Sequence, residues 1–251
     1  MANLILDDIC VRFGGLQALT EVAFTVTEGE VVGLIGPNGA GKTTVFNVIT
    51  GVYKASSGSV SYDKTIVTGL RPYQVLAMGI ARTFQNIRLF QNMTALENCM
   101  VAQHSRSKAG VVGAILRSPG QRREEARIIE KSQKALDFMG LGEVTDEVAS
   151  NLPYGHQRRL EIARALASDP KTILLDEPAA GLNPAESMKL MHDIGRITEL
   201  GINVLMVEHD MKVVMGICNR IVVLDHGVMI AEGLPEDIQR NPDVIEAYLG
   251  Q

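Results

Sequence analysis

The sequence predicts an α/β fold with a parallel sheet and a helical insertion, on three observations. First, the runs Val31 to Ile35, Ile173 to Leu175 and Val204 to Val207 are apolar without alternation, as strands covered on both faces of a parallel sheet are. Second, a helical pattern follows each run, which gives βα units. Third, from about Thr94 to Ala149 the β-type runs stop, and "RREEARIIEKSQKALDFMGLG" places Ile128, Ile129, Ser132, Ala135, Leu136 and Met139 on one helical face with charges opposite.

In chain order, "LILDDICVRF", "EVAFTVTEGEVVGLIG" and "SGSVSYD" read as early strands, most bounded by Gly or Asp. A helix is expected from near Lys42. Within the insertion, "SRSKAGVVGAILRSPGQRRE" is Gly/Ser-rich and basic and reads as a solvated connection with a short helix. "NLPYGHQRRLEIARAL" reads as a turn entering a helix, with no Ser, Thr, Asp or Asn at Pro153, Tyr154 or Gly155 to cap it. On that helix Leu160, Ala163, Leu166 and Ala167 form the packed face, while Arg158 and Arg159 are solvated or salt-bridged. "KTILLDEP", "INVLMVEHD" and "RIVVLDHGVMIAEG" supply the late strands.

The 251 residues suffice for a large core, and Cys10, Cys99 and Cys218 are too scattered for a disulfide framework or a metal site. They read as reduced, buried thiols. The start, "MANLILDDICVRF", has no basic region leading into an apolar stretch, and no run approaches the length of a membrane span. A net charge of −5 with mixed signs argues against broad binding of nucleic acid.

The chemistry lies in "GLIGPNGAGKTTVFNVITG". Gly36, Pro37, Asn38, Gly39, Ala40, Gly41, Lys42 and Thr43 match GxxxxGK followed by Ser or Thr, between an apolar strand and a helix, and Thr44 extends the match. Glycines let backbone N–H groups turn inward onto a phosphate, and the helix start adds its positive end. Lys42 can neutralise β- and γ-phosphate oxygens, and the Thr43 hydroxyl can ligate Mg²⁺. "TILLDEP" ends a buried strand with two acids: Asp176 as a metal ligand and Glu177 as the base that polarises water. His209 stands at the end of another strand, two residues past Val207; His104, His156, His192 and His226 lack that setting.

In this order, the motifs resemble ATP-binding cassette (ABC) ATPases over essentially the whole chain: the phosphate loop, "RTFQN", a helical insertion, "LPYGHQRRLEIARAL", "ILLDEP", "AAGLNP" and "VEHD". The resemblance implies a P-loop NTPase with a RecA-like core, an antiparallel β subdomain and a helical subdomain. Core residues would be 1–85 and 157–251, with 86–156 helical and ending in the signature motif. It further implies that Phe13 stacks on adenine, that Gln85 contacts Mg²⁺ or water, that His209 contacts the γ-phosphate, and that Tyr154 and Gly155 face the γ-phosphate of a partner's ATP. Longer phrases, "MGIARTFQNIRLFQNMTALENCMVAQH" and "NPDVIEAYLG" among them, are similar to the ATPases of branched-chain amino-acid importers. The implied partners are a second ATPase subunit, identical or not, two membrane-spanning permeases and, indirectly, an extracytoplasmic solute-binding protein. The implied location is the cytoplasmic face of the cell membrane.

Two departures from the family pattern stand out. Pro153 occupies the serine position of the usual LSGGQ, and Asn183 stands where the dimer-contact loop generally has Asp. Pro153 is expected at the first helical position, and Asn183 is expected to cap the next helix with Pro184 and Glu186. An exporter ATPase of the lipopolysaccharide type, or a nucleotide-dependent regulatory subunit, are the alternatives. "QNIRLF" is expected to form the groove that receives a membrane subunit, through Arg88 and Leu89.

Overall fold

The computed structural model describes residues 3–103 and 119–249. The expected short helix in the basic connection lies outside them. The chain divides into two compact units, one of residues 1–85 and 171–251 and one of residues 86–170.

In the larger unit, β1 (Leu4–Phe13), β2 (Leu16–Val26), β4 (Ser57–Tyr62) and β5 (Thr65–Ile66) form an antiparallel sheet in the order β2-β1-β4-β5. The second sheet runs β10-β9-β3-β8-β7-β6. Its strands β3 (Val31–Ile35), β6 (Ile80–Arg82), β7 (Thr172–Asp176), β8 (Asn203–Val207) and β9 (Arg220–Asp225) are parallel, and β10 (Val228–Gly233) closes the edge antiparallel to β9. Every residue of β3, β7 and β8 is buried, which is why their sequences lack alternation. One core joins Leu4, Leu6 and Tyr62 of the first sheet to Leu34, Leu174 and Leu205 of the second. Between them packs α1 (Lys42–Ile49), through Val45, Phe46 and Ile49.

This topology positions the site. The neighbouring parallel strands β3, β8, β7 and β6 end respectively in the phosphate loop, His209, Asp176–Glu177 and the segment leading to Gln85. All four carboxyl ends therefore open on one edge of the sheet, where ligands of open α/β sheets bind. The unit is completed by α2 (Pro72–Ala77), α6 (Pro184–Glu199), α7 (Met211–Ile217), α8 (Pro235–Arg240) and α9 (Pro242–Leu249).

The smaller unit packs α3 (Ala95–Ala102), α4 (Pro119–Phe138) and α5 (Tyr154–Ala167) against one another. Its division from the larger unit falls after Gln85 on one side and after Pro170 on the other. All of α5 thus belongs to the helical unit, where a break after residue 156 was expected, because Leu160, Ile162 and Ala163 are buried and α5 contacts both α3 and α4. Ser132, Ala135 and Leu136 of α4 and Met139 just beyond it are buried, but Ile129 is exposed and Ile128 only half-buried. Leu166 of α5 is likewise half-buried. Of the two settings expected for Arg158, the structure shows the salt bridge: the residue is buried, Nη1 reaches Glu161 Oε2 at 3.2 Å and Nη2 donates to Tyr154 Oη at 3.2 Å.

A nucleotide cleft at the end of the parallel sheet

A cavity of about 310 Å³ is lined by Asn38 to Thr44, Gln85, Glu177, Val207 and His209. Its floor is the phosphate loop. Gly36 has φ 146°, and a Cβ there would lie 2.0 Å from Leu224 O; Gly41 has φ 104°, and a Cβ there would lie 2.7 Å from Leu19 Cδ2. Only glycine serves at either position, by backbone conformation and by close approach alike. Gly41 is the N-cap of α1, with no side-chain cap and no acid in the first turn. The helix start is thus kept clear for an anion.

Lys42 Nζ donates to Gly36 O at 2.7 Å and to Pro37 O at 2.9 Å, so the ammonium lies folded into the loop. Burial pulls its pKa down, against which Glu177 and then Asp176 act to hold the charge. A buried cation braced by carboxylates is suited to meeting the oxygens of a polyphosphate.

Glu177 stands between two neighbours. Gln85 Nε2 donates to its Oε2 at 3.0 Å, and His209 Nε2 lies 3.1 Å from its Oε1. Its backbone is held in the left-handed region, φ 49°, by the bond from Glu177 N to Val207 O at 2.9 Å. That conformation is uncommon for a non-glycine residue, and at this strand end it sets the direction in which the Glu177 side chain leaves the sheet.

Asp176 sits behind the cavity wall. Arg82 Nη2 holds its Oδ2 at 2.8 Å, and its N–H donates to Thr83 Oγ1 at 3.3 Å. Thr43, Asp176 and Gln85 offer oxygen donors, which suit a hard cation such as Mg²⁺. Among the described residues no group of three or more His, Cys, Asp or Glu could hold a metal by itself. Such a cation therefore fits as one carried by phosphates, with few protein ligands.

Phe13 does not line the cavity. Its ring is 44 % exposed and meets Tyr53 edge-on at 5.1 Å and 75°. Tyr154 and Gly155 belong to the helical unit, as the first two residues of α5. Pro153 is the N-cap of that helix, with φ −55° and ψ 151°, and not its first helical residue. An extended ψ keeps its carbonyl available, and Gln157 N donates to Pro153 O at 3.0 Å as the first helical bond. Asn183 caps α6 as expected: Glu186 N donates to Asn183 Oδ1, and Asn183 N to Glu186 Oε2, both at 3.0 Å.

Two contributors were missed by sequence reasoning. Arg82 was legible only as a charge at the end of an apolar run beside Gln85. Glu208, which "VEHD" shows only as an acid beside His209, is buried and accepts from Ala179 N at 2.6 Å and His209 N at 3.2 Å. Burial pushes its pKa up, opposed by backbone N–H groups of Ala179, His209 and Asp210.

Comparison with known proteins agrees with this geometry. Residues 19–180 match the family model for ABC transporters, and residues 228–251 match that of the branched-chain amino acid ATP-binding cassette transporter. The high-affinity branched-chain amino acid transport ATP-binding protein LivG of Salmonella typhimurium is 47 % identical over 249 residues, 99 % of this chain and 98 % of the relative. Among solved structures, the ADP conformation of an ATP-binding cassette of an ABC transporter shares 32 % identity, with TM-score 0.87 and full coverage of both chains. A bacterial ABC transporter cassette solved as a dimer shares 27 % identity, with TM-score 0.76 over 92 % of this chain and 98 % of the other. With its nucleotide-binding cleft at the carboxyl edge of the sheet, the chain belongs to the ABC transporter ATPase family.

Proposed function

We propose that this chain is the ATP-hydrolysing subunit of an importer for branched-chain amino acids or related solutes. It would work at the cytoplasmic face of a membrane with two permease subunits, a second ATPase subunit and, indirectly, a solute-binding protein. The names of the relatives support the solute class, and the dimeric neighbour supports the pairing. No helix among the described residues is long and apolar enough to cross a membrane, so the permeases would supply the path.

The observation that carries the hydrolytic reading is the placement of Glu177 between Gln85 and His209 over the phosphate loop. In this reading amides of residues 38–44 cradle the phosphates, and Lys42 leaves its carbonyl partners for the β- and γ-oxygens. Mg²⁺ held by Thr43, Asp176 and Gln85 would neutralise charge on those oxygens. Glu177 accepts a proton from the attacking water, His209 holds the γ-phosphate, and Phe13 stacks on the adenine. Tyr154 and Gly155 offer helix-start amides to ATP held by the partner. ATP binds the closed pair more tightly than the open one, and its hydrolysis releases that preference.

Replacing Glu177 with Gln keeps the size and shape of the side chain but removes the base, and its single amide oxygen keeps one of the two contacts to Gln85 and His209 as it stands. Steady-state ATPase should fall by about 10²- to 10⁴-fold, with ATP binding retained and ATP-driven dimerisation tightened in gel filtration. Hydrolysis at the wild-type rate would remove Glu177 from the mechanism.

For coupling to the permeases, the structure shifts attention along "QNIRLF". Leu89 is 9 % exposed, whereas Phe90 is 47 % exposed beneath the Arg164 guanidinium, 6.0 Å from the ring centroid. Phe90 is therefore the side chain we assign to the docking surface, with Arg88 beside it.

A further inference from the structure

We propose that Arg82 is a positioning residue for the metal-binding carboxylate of Asp176, and that it ties this carboxylate to the helix following the phosphate loop. The inference rests on the reading of Asp176 as a ligand of the nucleotide's Mg²⁺.

Arg82 is the last residue of β6. Its side chain is 9 % exposed, and that of Asp176 is 7 % exposed. One arm of the guanidinium, Nη2, donates to Asp176 Oδ2 at 2.8 Å; the other, Nη1, donates to Asn47 Oδ1 at 2.7 Å and reaches Thr50 Oγ1 at 3.5 Å. The Phe46 and Phe84 rings both lie 5.3 Å from the guanidinium carbon. Phe46 and Asn47 belong to α1, and Thr50 is its C-cap. The cation thus connects the strand leading to Gln85, the carboxylate at the end of β7 and the helix that begins with Lys42.

The chemistry requires such a connection. A metal-binding carboxylate needs one oxygen unoccupied and a set direction toward the metal. Arg82 takes Oδ2, so that Oδ1 is the oxygen left for the metal. Because Nη1 is held by Asn47, the planar guanidinium presents Nη2 to Oδ2 from a set direction, and a lysine ammonium cannot span both partners with that geometry. Arg82 Nε is buried with no hydrogen-bond partner. A group that only filled space between two phenyl rings would be served better by an apolar side chain, without that cost.

The test uses the full chain and a fluorescent ATP analogue labelled on the ribose, titrated with Mg²⁺ and, separately, in EDTA. The variants are Arg82→Lys, Arg82→Gln and Asp176→Asn, each checked for thermal unfolding. We expect Arg82→Lys and Arg82→Gln to raise the Mg²⁺ concentration for half-maximal tightening by about tenfold, the usual cost of removing the support of a metal ligand. Affinity in EDTA should stay within about twofold, which a general loss of packing would not allow. If Arg82→Gln does not fold, Arg82→Lys decides alone. A wild-type Mg²⁺ titration in the Arg82 variants, with Asp176→Asn altered, overturns the inference. If Asp176→Asn also titrates as wild type, the assignment of Asp176 fails first, and the inference fails with it.

Discussion

Helices α1 and α5 both begin without a side-chain cap and without an acid in the first turn, whereas α3 and α6 begin with capping boxes. The two bare starts differ in what surrounds them. The start of α1 is walled within its own unit by Gln85, Glu177 and His209, and its first residue, Lys42, is buried. At α5, Pro153 and Tyr154 are exposed, and the nearby cation, Arg158, is turned inward to Glu161 and the Tyr154 hydroxyl. An unsatisfied helix start costs stability unless something bonds to it. On the function proposed above, the first would hold a polyanion with charge of its own, and the second would offer dipole and amides to a site brought to it.

That contrast breaks most readily at Lys42. Lys42→Ala removes the buried cation and leaves the helix start as bare as that of α5. Steady-state ATPase should fall by about 10²- to 10³-fold, as expected when one preorganised charge is removed from a phosphoryl-transfer site. Equilibrium binding of ATP should weaken with it. Loss of less than about tenfold would mean that the amides carry the site and that the two helix starts are more alike than their surroundings suggest.

A smaller effect compares the two units through their thiols. Burial pushes Cys99, in the helical unit, and Cys218, in the core unit, up to about 12 from 9.0. Such thiols stay protonated at neutral pH, so iodoacetamide at pH 8 should modify the half-buried Cys10 first. Since the folded value lies above the unfolded one, both thiols favour the folded state below pH 9, and that contribution disappears as pH rises from 9 toward 12. Mass spectrometry of the labelled chain checks this. Modification of Cys99 as fast as Cys10 would show that the helical unit opens far more readily than its packing implies.

Much of the cleft was legible because its residues are constrained locally. Gly36 and Gly41 are the only residue type their φ values and neighbours admit, and the uniformly apolar β3, β7 and β8 follow from burial on both faces. The rest depends on residues distant in sequence. Nothing in "IARTFQ" shows that Arg82 meets Asp176, because that pairing exists only once β6 lies beside β7. The end of the helical unit was set too early because a helix was divided at a motif, while packing of Leu160, Ile162 and Ala163 carries the unit to Pro170. Periodicity likewise placed Ile129 inward, yet α4 is 20 residues long and its buried residues lie toward its C-terminal half.

The smallest expected effect concerns the difference at α5 itself. Because Pro153 is the N-cap, its lack of an N–H removes no donor from the helical turn that begins at Tyr154; what α5 lacks is a side-chain oxygen at the cap. Pro153→Ser restores a hydroxyl that has two competing uses. Within the free chain it can accept from an amide of the first turn, adding about 1 kcal/mol of stability. Facing ATP held by a partner, it can donate to the γ-phosphate instead. The first use raises the urea midpoint and occupies an amide meant for phosphate, so ATP-driven dimerisation stays the same or weakens. The second lowers the ATP concentration for half-maximal dimerisation by up to about fivefold, the equivalent of about 1 kcal/mol. We expect the second, since a partner's phosphate is a stronger hydrogen-bond acceptor than the hydroxyl is a cap. A raised urea midpoint with weaker dimerisation would assign the natural proline the opposite role, that of keeping the amides of α5 open.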